Sequence, residues 1–178
     1  MALDLTRTLR GALAGASAAA VWSAQQPLDR RIFGVPYDDT ELLGKLVTRG
    51  PAWPLAGALL HLGNGALFGA LYANIAPRTP LPAWARGPAA GLAEHLITWP
   101  GTRVTDRLHP ARDDLPTLWG DKNAFAQATW RHLLFGTVLG ELERRLNPPG
   151  EPLTPVDDET AQTNGHGSIE HLVGTSVS

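Results

Sequence analysis

Between Arg49 and Arg78 the chain runs for 28 residues without a charge, "GPAWPLAGALLHLGNGALFGALYANIAP". About 20 apolar residues, at 1.5 Å rise each, cross a bilayer core. This stretch is the one strong transmembrane signal. Three further segments carry it more weakly. Residues 11–28, "GALAGASAAAVWSAQQPL", are uncharged but turn polar at the end. Residues 82–99 contain Arg86 and Glu94, and residues 124–143 contain Arg131 near the middle and Glu141 and Glu143 near the end. Taken alone, each reads equally well as a buried helix of a soluble protein. The first segment, behind Arg7 and Arg10, also has the outline of a signal peptide, although its apolar run is rich in alanine and glycine rather than leucine.

An internal repeat links the four segments. "GALAGASAAA" (11–20) aligns with "GPAAGLAEHL" (87–96), and "DRRIFGVPYDD" (29–39) with "DRLHPARDD" (106–114). "GALLHLGNGALFG" (57–69) aligns with "ATWRHLLFGTVLG" (128–140), which places His61 on His132, Gly65 on Gly136 and Gly69 on Gly140. Each unit reads as a helix, a polar connection with a short interfacial helix, then a second helix. Two crossings per unit leave both units the same way up, related by a pseudo-two-fold axis along the membrane normal. The expectation is an all-α integral membrane four-helix bundle built from two tandem two-helix repeats, 8–76 and 84–146, within a transmembrane domain 1–146. A repeat of the first segment inside the chain argues against the signal-peptide reading.

The same alignment explains the glycines. Gly57, His61, Gly65 and Gly69 recur at every fourth position and form one ridge along a helix. Gly136 and Gly140 repeat it around His132, while Gly11 and Gly15, and Gly87 and Gly91, mark the first helix of each unit. In lipid, burying leucine against a helix gains little, whereas small residues let backbones approach. The expected seams pair Gly65 and Gly69 with Gly11 and Gly15, and Gly136 and Gly140 with Gly87 and Gly91.

Five polar residues fall within the predicted spans at similar depth: His61, Glu94, His95, Arg131 and His132. Charges inside a membrane pair with one another or face a cavity. Glu94 and Arg131 both occur only in the second unit, where the first has Ala18 and Leu60. They are therefore expected to pair with each other. His61, His95 and His132 belong to the ligand inventory of zinc or haem, but no close ligand spacing accompanies them, and no metal or cofactor is assigned. In the connections, Asp39 and Asp114 are expected to cap a following helix through their side-chain oxygens. Asp29 with Arg30, and Asp106 with Arg107, are expected to brace the chain by salt bridges. Trp53, Trp84, Trp99 and Trp119 fall near predicted helix ends, as interfacial tryptophans do.

Composition removes other classes. Cysteine is absent, which excludes disulfides and thiolate chemistry. There is no nucleophile elbow, no phosphate-cradling loop and no basic stripe for nucleic acid, so no catalytic residues are assigned. Residues 147–178 hold five of the 17 acids and no lysine or arginine, leaving 12 acids against all 15 bases in 1–146. This acidic tail, rich in Pro, Gly, Ser and Thr, is expected to be disordered. Six basic residues on one predicted side of the membrane face eight on the other, too even a split to orient the chain. "GALAG" and "HLGNGALFG" resemble small bacterial inner-membrane proteins of the YagU-like type, over residues 7–146 at most. The resemblance implies a protein of the inner membrane, and the predicted spans make the lipid bilayer a partner, with a second copy or another membrane protein as further candidates. It carries no activity across. A structural or interaction role is the expectation, with a transporter or channel subunit, or a metal- or haem-binding protein, as alternatives.

Overall fold

The computed structural model describes residues 4–148. They are all helical, with no strand among them. Four long helices, α1 (Leu5–Phe33), α3 (Trp53–Ile75), α4 (Ala83–Thr98) and α6 (Lys122–Leu146), are joined by connections holding two short ones, α2 (Asp39–Val47) and α5 (Thr102–Leu108). The helix starts follow from local chemistry. Asp4, Asp38 and Asp121 accept hydrogen bonds from backbone N–H groups of the first turns of α1, α2 and α6, and Pro54 occupies the first turn of α3, where its missing N–H costs nothing. Gly34 ends α1 at φ 70°, a left-handed conformation that favours glycine.

The long helices pack in the order α3–α1–α6–α4, and α3 and α4 make no comparable contact among the described residues. Two seams of glycine close the α1–α3 and α4–α6 pairs. A Cβ placed on Gly15 would overlap the Gly65 carbonyl, one on Gly69 the Gly11 carbonyl, and one on Gly136 the Gly87 carbonyl. Gly91 lies likewise on the backbone of His132, and Gly140 on that of Gly87. Gly57 belongs to a third approach: it touches Thr40, while Gly44 touches Trp53, so that α2 lies along the start of α3. The central α1–α6 contact is apolar in its middle, where Ala14, Ala18 and Trp22 share a core with Phe135 and Leu139, and polar at its two ends. At one end Arg7 donates to Glu143 (2.6 Å) and to the Ala73 carbonyl (2.6 Å). At the other, Arg131 meets Asp29.

Burial is inverted relative to a water-soluble bundle. The buried apolar residues are chiefly alanines, with Trp22, Tyr72, Phe135 and Leu139 among the few large ones. Leu5, Leu9, Leu13, Leu28 and Ile32 on α1, and Leu55, Leu59, Leu67, Leu71 and Ile75 on α3, are exposed. By length and composition alone, however, only the segment Trp53–Arg78 among the described residues is long and apolar enough to cross a membrane. The disorder expected for the acidic tail concerns residues outside the described ones, apart from Asn147 and Pro148. Asn147 is buried and bonds Glu143 and the Arg7 carbonyl.

Candidate functional site: a cleft between α3 and α4

Where α3 and α4 fail to meet, a cleft of about 540 Å³ opens, backed by α1 and α6. Its position follows from Arg131. The Arg131 side chain is completely buried, and its guanidinium grips Asp29 through two bonds of 2.6 Å, from Nε and Nη2. Nη1 donates to Asp39 (2.7 Å) and Nη2 to the Tyr37 carbonyl (3.0 Å). Gln127 and Gln25 also donate to Asp29. This network binds α6 to α1 and folds the first connection onto both.

The expected Glu94–Arg131 pair is therefore not formed. Glu94 instead meets His132, with Oε2 2.6 Å from Nε2. The reason lies in α1. It continues to Phe33, so Asp29 sits inside the helix and fully buried, not beyond its end. A guanidinium at that depth finds a carboxylate on the directly packed neighbour before it reaches α4.

The capping expectations also need correction. Asp38, not Asp39, caps α2, accepting from the N–H groups of Thr40 and Glu41. Asp39 points inward, where it accepts from Trp22 Nε1 (2.8 Å) and from the Tyr37 hydroxyl as well as from Arg131. Asp114 caps no helix; α6 takes its cap from Asp121. Asp114 pairs with Arg49 (3.2 Å) and Lys45 (3.6 Å), which hold its carboxyl below the usual range, Arg49 the more strongly. Arg30 bonds Asp38 and so braces the first connection. Asp106 accepts from the backbone N–H groups of Leu118 and Trp119. Arg107 lies exposed on α5.

The three histidines do line the cleft. The Trp22 ring stands edge-on between His61 and His132, at 5.4 and 4.7 Å between centroids, and His95 lies 4.8 Å from His132. Their partners fix their protons. His61 Nε2 donates to the Ala19 carbonyl (3.2 Å). His95 Nε2 donates to the Thr129 hydroxyl, whose own proton goes to the Phe125 carbonyl. His132 Nδ1 lies 2.7 Å from the Ala128 carbonyl, which only accepts. Nδ1 therefore carries hydrogen. No three His, Cys, Asp or Glu residues among the described ones are placed to hold a metal ion.

One end of the cleft is polar and lies under the connections, where Tyr37, Asp39, Thr102 and Thr105 close it. Burial and the neighbouring Asp39 carboxylate hold the Tyr37 hydroxyl well above its ordinary pKa, so it remains a donor. The connections are knit together there by His109, which donates to the Leu42 carbonyl (3.0 Å), and by the Asp114 ion pairs. The other end is apolar. Phe68 and Leu71 lie seven and ten residues beyond His61 on α3, about 10 and 15 Å deeper at helical rise, with Phe135 beside Phe68. Asn64, Leu67 and Leu71 are exposed along the mouth.

Sequence reasoning missed Trp22, Tyr37, Gln127 and the inward turn of Asp39. Gln25 and Gln26, polar side chains at the end of an otherwise apolar helix, were the available signal: Gln25 bonds Asp29, and the Gln26 side chain accepts from the Asp39 N–H. No protein-family model matches the chain, and neither the curated proteins nor the solved structures provide a match.

Proposed function

We propose that the chain is a small multi-pass membrane protein of binding or interaction type, with α1, α3, α4 and α6 all within the bilayer and the α3–α4 cleft as its working surface. The observation that supports this is the inverted burial. Leucines cover the outside of α1 and α3, while glycine, alanine and an ionic network occupy the inside. Large exposed apolar surface signals a membrane or a partner, and glycine seams suit lipid, where close backbone approach replaces leucine burial. On this reading α1 and α6 fall short of an apolar composition in part because Gln26, Asp29, Gln127 and Arg131 point inward, while Glu141 pairs with the exposed Arg144 and Arg145 at the end of α6. The glycine seams are packing motifs, and the two helix pairs are copies of one unit. The YagU-like resemblance of the sequence adds no activity to this reading.

The test is membrane extraction followed by labelling. The chain should remain in the membrane fraction through alkaline carbonate and need detergent for release. A chain that leaves with carbonate and stays monodisperse in buffer overturns the reading. A second reading, a transporter or channel subunit, draws on the polar lining of the cleft. Solute flux in liposomes above that of empty vesicles would favour it.

A further inference from the structure

The cleft combines two properties that together select a class of ligand. The first is charge. Its two lining residues of ordinary fixed charge, Asp39 and Glu94, are both carboxylates, and no lysine or arginine is among the described lining residues. Even with His132 counted as positive against Glu94, and Arg131 against Asp29, Asp39 keeps the polar end from a positive surplus. An anionic head group entering there meets two carboxylates and no free cation. The second property is aromatic. Trp22 and Trp99 wall the same end, whereas the Tyr37 ring already carries the Arg131 guanidinium at 5.0 Å, and ring faces attract organic ammonium groups, most strongly where water is excluded.

The opposite end, at Phe68, Leu71 and Phe135, offers only apolar surface. Polar end and apolar end are thus stacked along the helix axes, the polar end toward the connections. The volume, about 540 Å³, lies within the range of small-molecule sites.

Resting on the membrane reading above, we propose that the cleft binds a hydrophobic organic ammonium. The cationic head lies against Glu94 and Asp39 among the tryptophans, and the hydrocarbon runs toward Phe68 and Leu71. The ligand enters from the bilayer between α3 and α4.

The full-length protein in dodecylmaltoside tests this by titration with decyltrimethylammonium below its micellar concentration, followed by tryptophan fluorescence and calorimetry. Saturable one-to-one binding is expected. Tetramethylammonium, which has the head alone, and decanol, which has the tail, bind at least about tenfold more weakly, a loss of about 1.4 kcal/mol or more. Decanoate does not saturate. Glu94→Gln weakens decyltrimethylammonium by at least about tenfold and leaves decanol unchanged, while Glu94→Asp retains binding. Phe68→Ala weakens decyltrimethylammonium and spares tetramethylammonium. Should Glu94→Gln fail to fold, Thr98→Phe at the mouth replaces it and is expected to block the ammonium.

Decanoate binding as tightly as the ammonium overturns the proposal. So does a folded Glu94→Gln variant that binds like the parent, or an absence of saturation, including the case in which a second copy fills the cleft and the chain runs as a dimer. Failure of the membrane reading looks different. The protein then stays soluble without detergent, and the same titration in buffer still reports on the cleft.

Discussion

Arg131 carries its charge to the most buried position of any cation among the described residues, and Asp29, equally enclosed, answers it with two bonds. Removing one partner of such a pair leaves the other charged and unmatched, at a typical cost of about 3–5 kcal/mol. Arg131→Gln and Asp29→Asn should each lower the melting temperature in detergent strongly, followed by circular dichroism. The double variant should lose less than the sum. Additive losses would mean that the two groups are stabilised separately. The sequence showed that Arg131 needed a carboxylate but pointed to the wrong one. Depth along the helices made Glu94 and Arg131 equivalent, and only the extension of α1 to Phe33 brings Asp29 within reach. Helix ends are the hardest feature to place in sequence, and here the five residues from Asp29 to Phe33 decided a partner.

At the scale of helices, the glycine seams decide which pairs close. Gly136→Leu drives a side chain into the backbone of Gly87 and should destabilise by about 1–3 kcal/mol, or more if α4 cannot shift. Gly63 is the control. It lies exposed on α3, and a methyl group added there would meet nothing within 4 Å, so Gly63→Ala should be neutral or stabilising by up to about 1 kcal/mol. Equal losses at the two sites, in thermal melts, would remove the seam explanation. The ridge of Gly57, His61, Gly65 and Gly69 was readable from spacing because a period of four on a helix fixes one face. Which helix each end of the ridge meets was less readable: Gly57 meets α2, since Gly44 brings that short helix against it. The two-fold expected between the units is also incomplete. It would make the α1–α6 and α3–α4 contacts equivalent, yet only α1–α6 is closed. Leu60 stands where the second unit has Arg131, and Asp106, the counterpart of Asp29, is taken up by the backbone of Leu118 and Trp119. Without a guanidinium across that interface there is no ionic clamp, and the cleft remains.

For the whole molecule, the membrane reading predicts that the exposed leucines of α1 and α3 face lipid. The chain has no cysteine, so single cysteines introduced into it report position without background. A cysteine at Leu13 or Leu59 should resist a water-soluble maleimide in sealed vesicles and react once detergent is added. One at Thr79 and one at Arg112 should react from opposite sides of the membrane. Rapid labelling at Leu59 in intact vesicles would place that surface in water and leave α3 as the single apolar helix of a soluble fold. The sequence indicated an all-helical chain with four long helices, since helical periodicity and hydrophobic length are local properties. It did not indicate the cleft, which arises from a contact that one pair of helices makes and the other does not.

The pairing of Asp29 with Arg131 also sets a clock. The two residues are 102 positions apart in the chain. A ribosome adding roughly 5–20 residues per second takes about 5–20 s to make that stretch. Throughout this interval α1 and α3 have everything they need to zip along their glycines, while the carboxylate on α1 waits for the last helix. Nascent chains halted before α6 would hold an uncompensated acid inside a finished hairpin. On the membrane reading such chains should be degraded faster than the full chain, so the last helix to be made decides whether the first is kept.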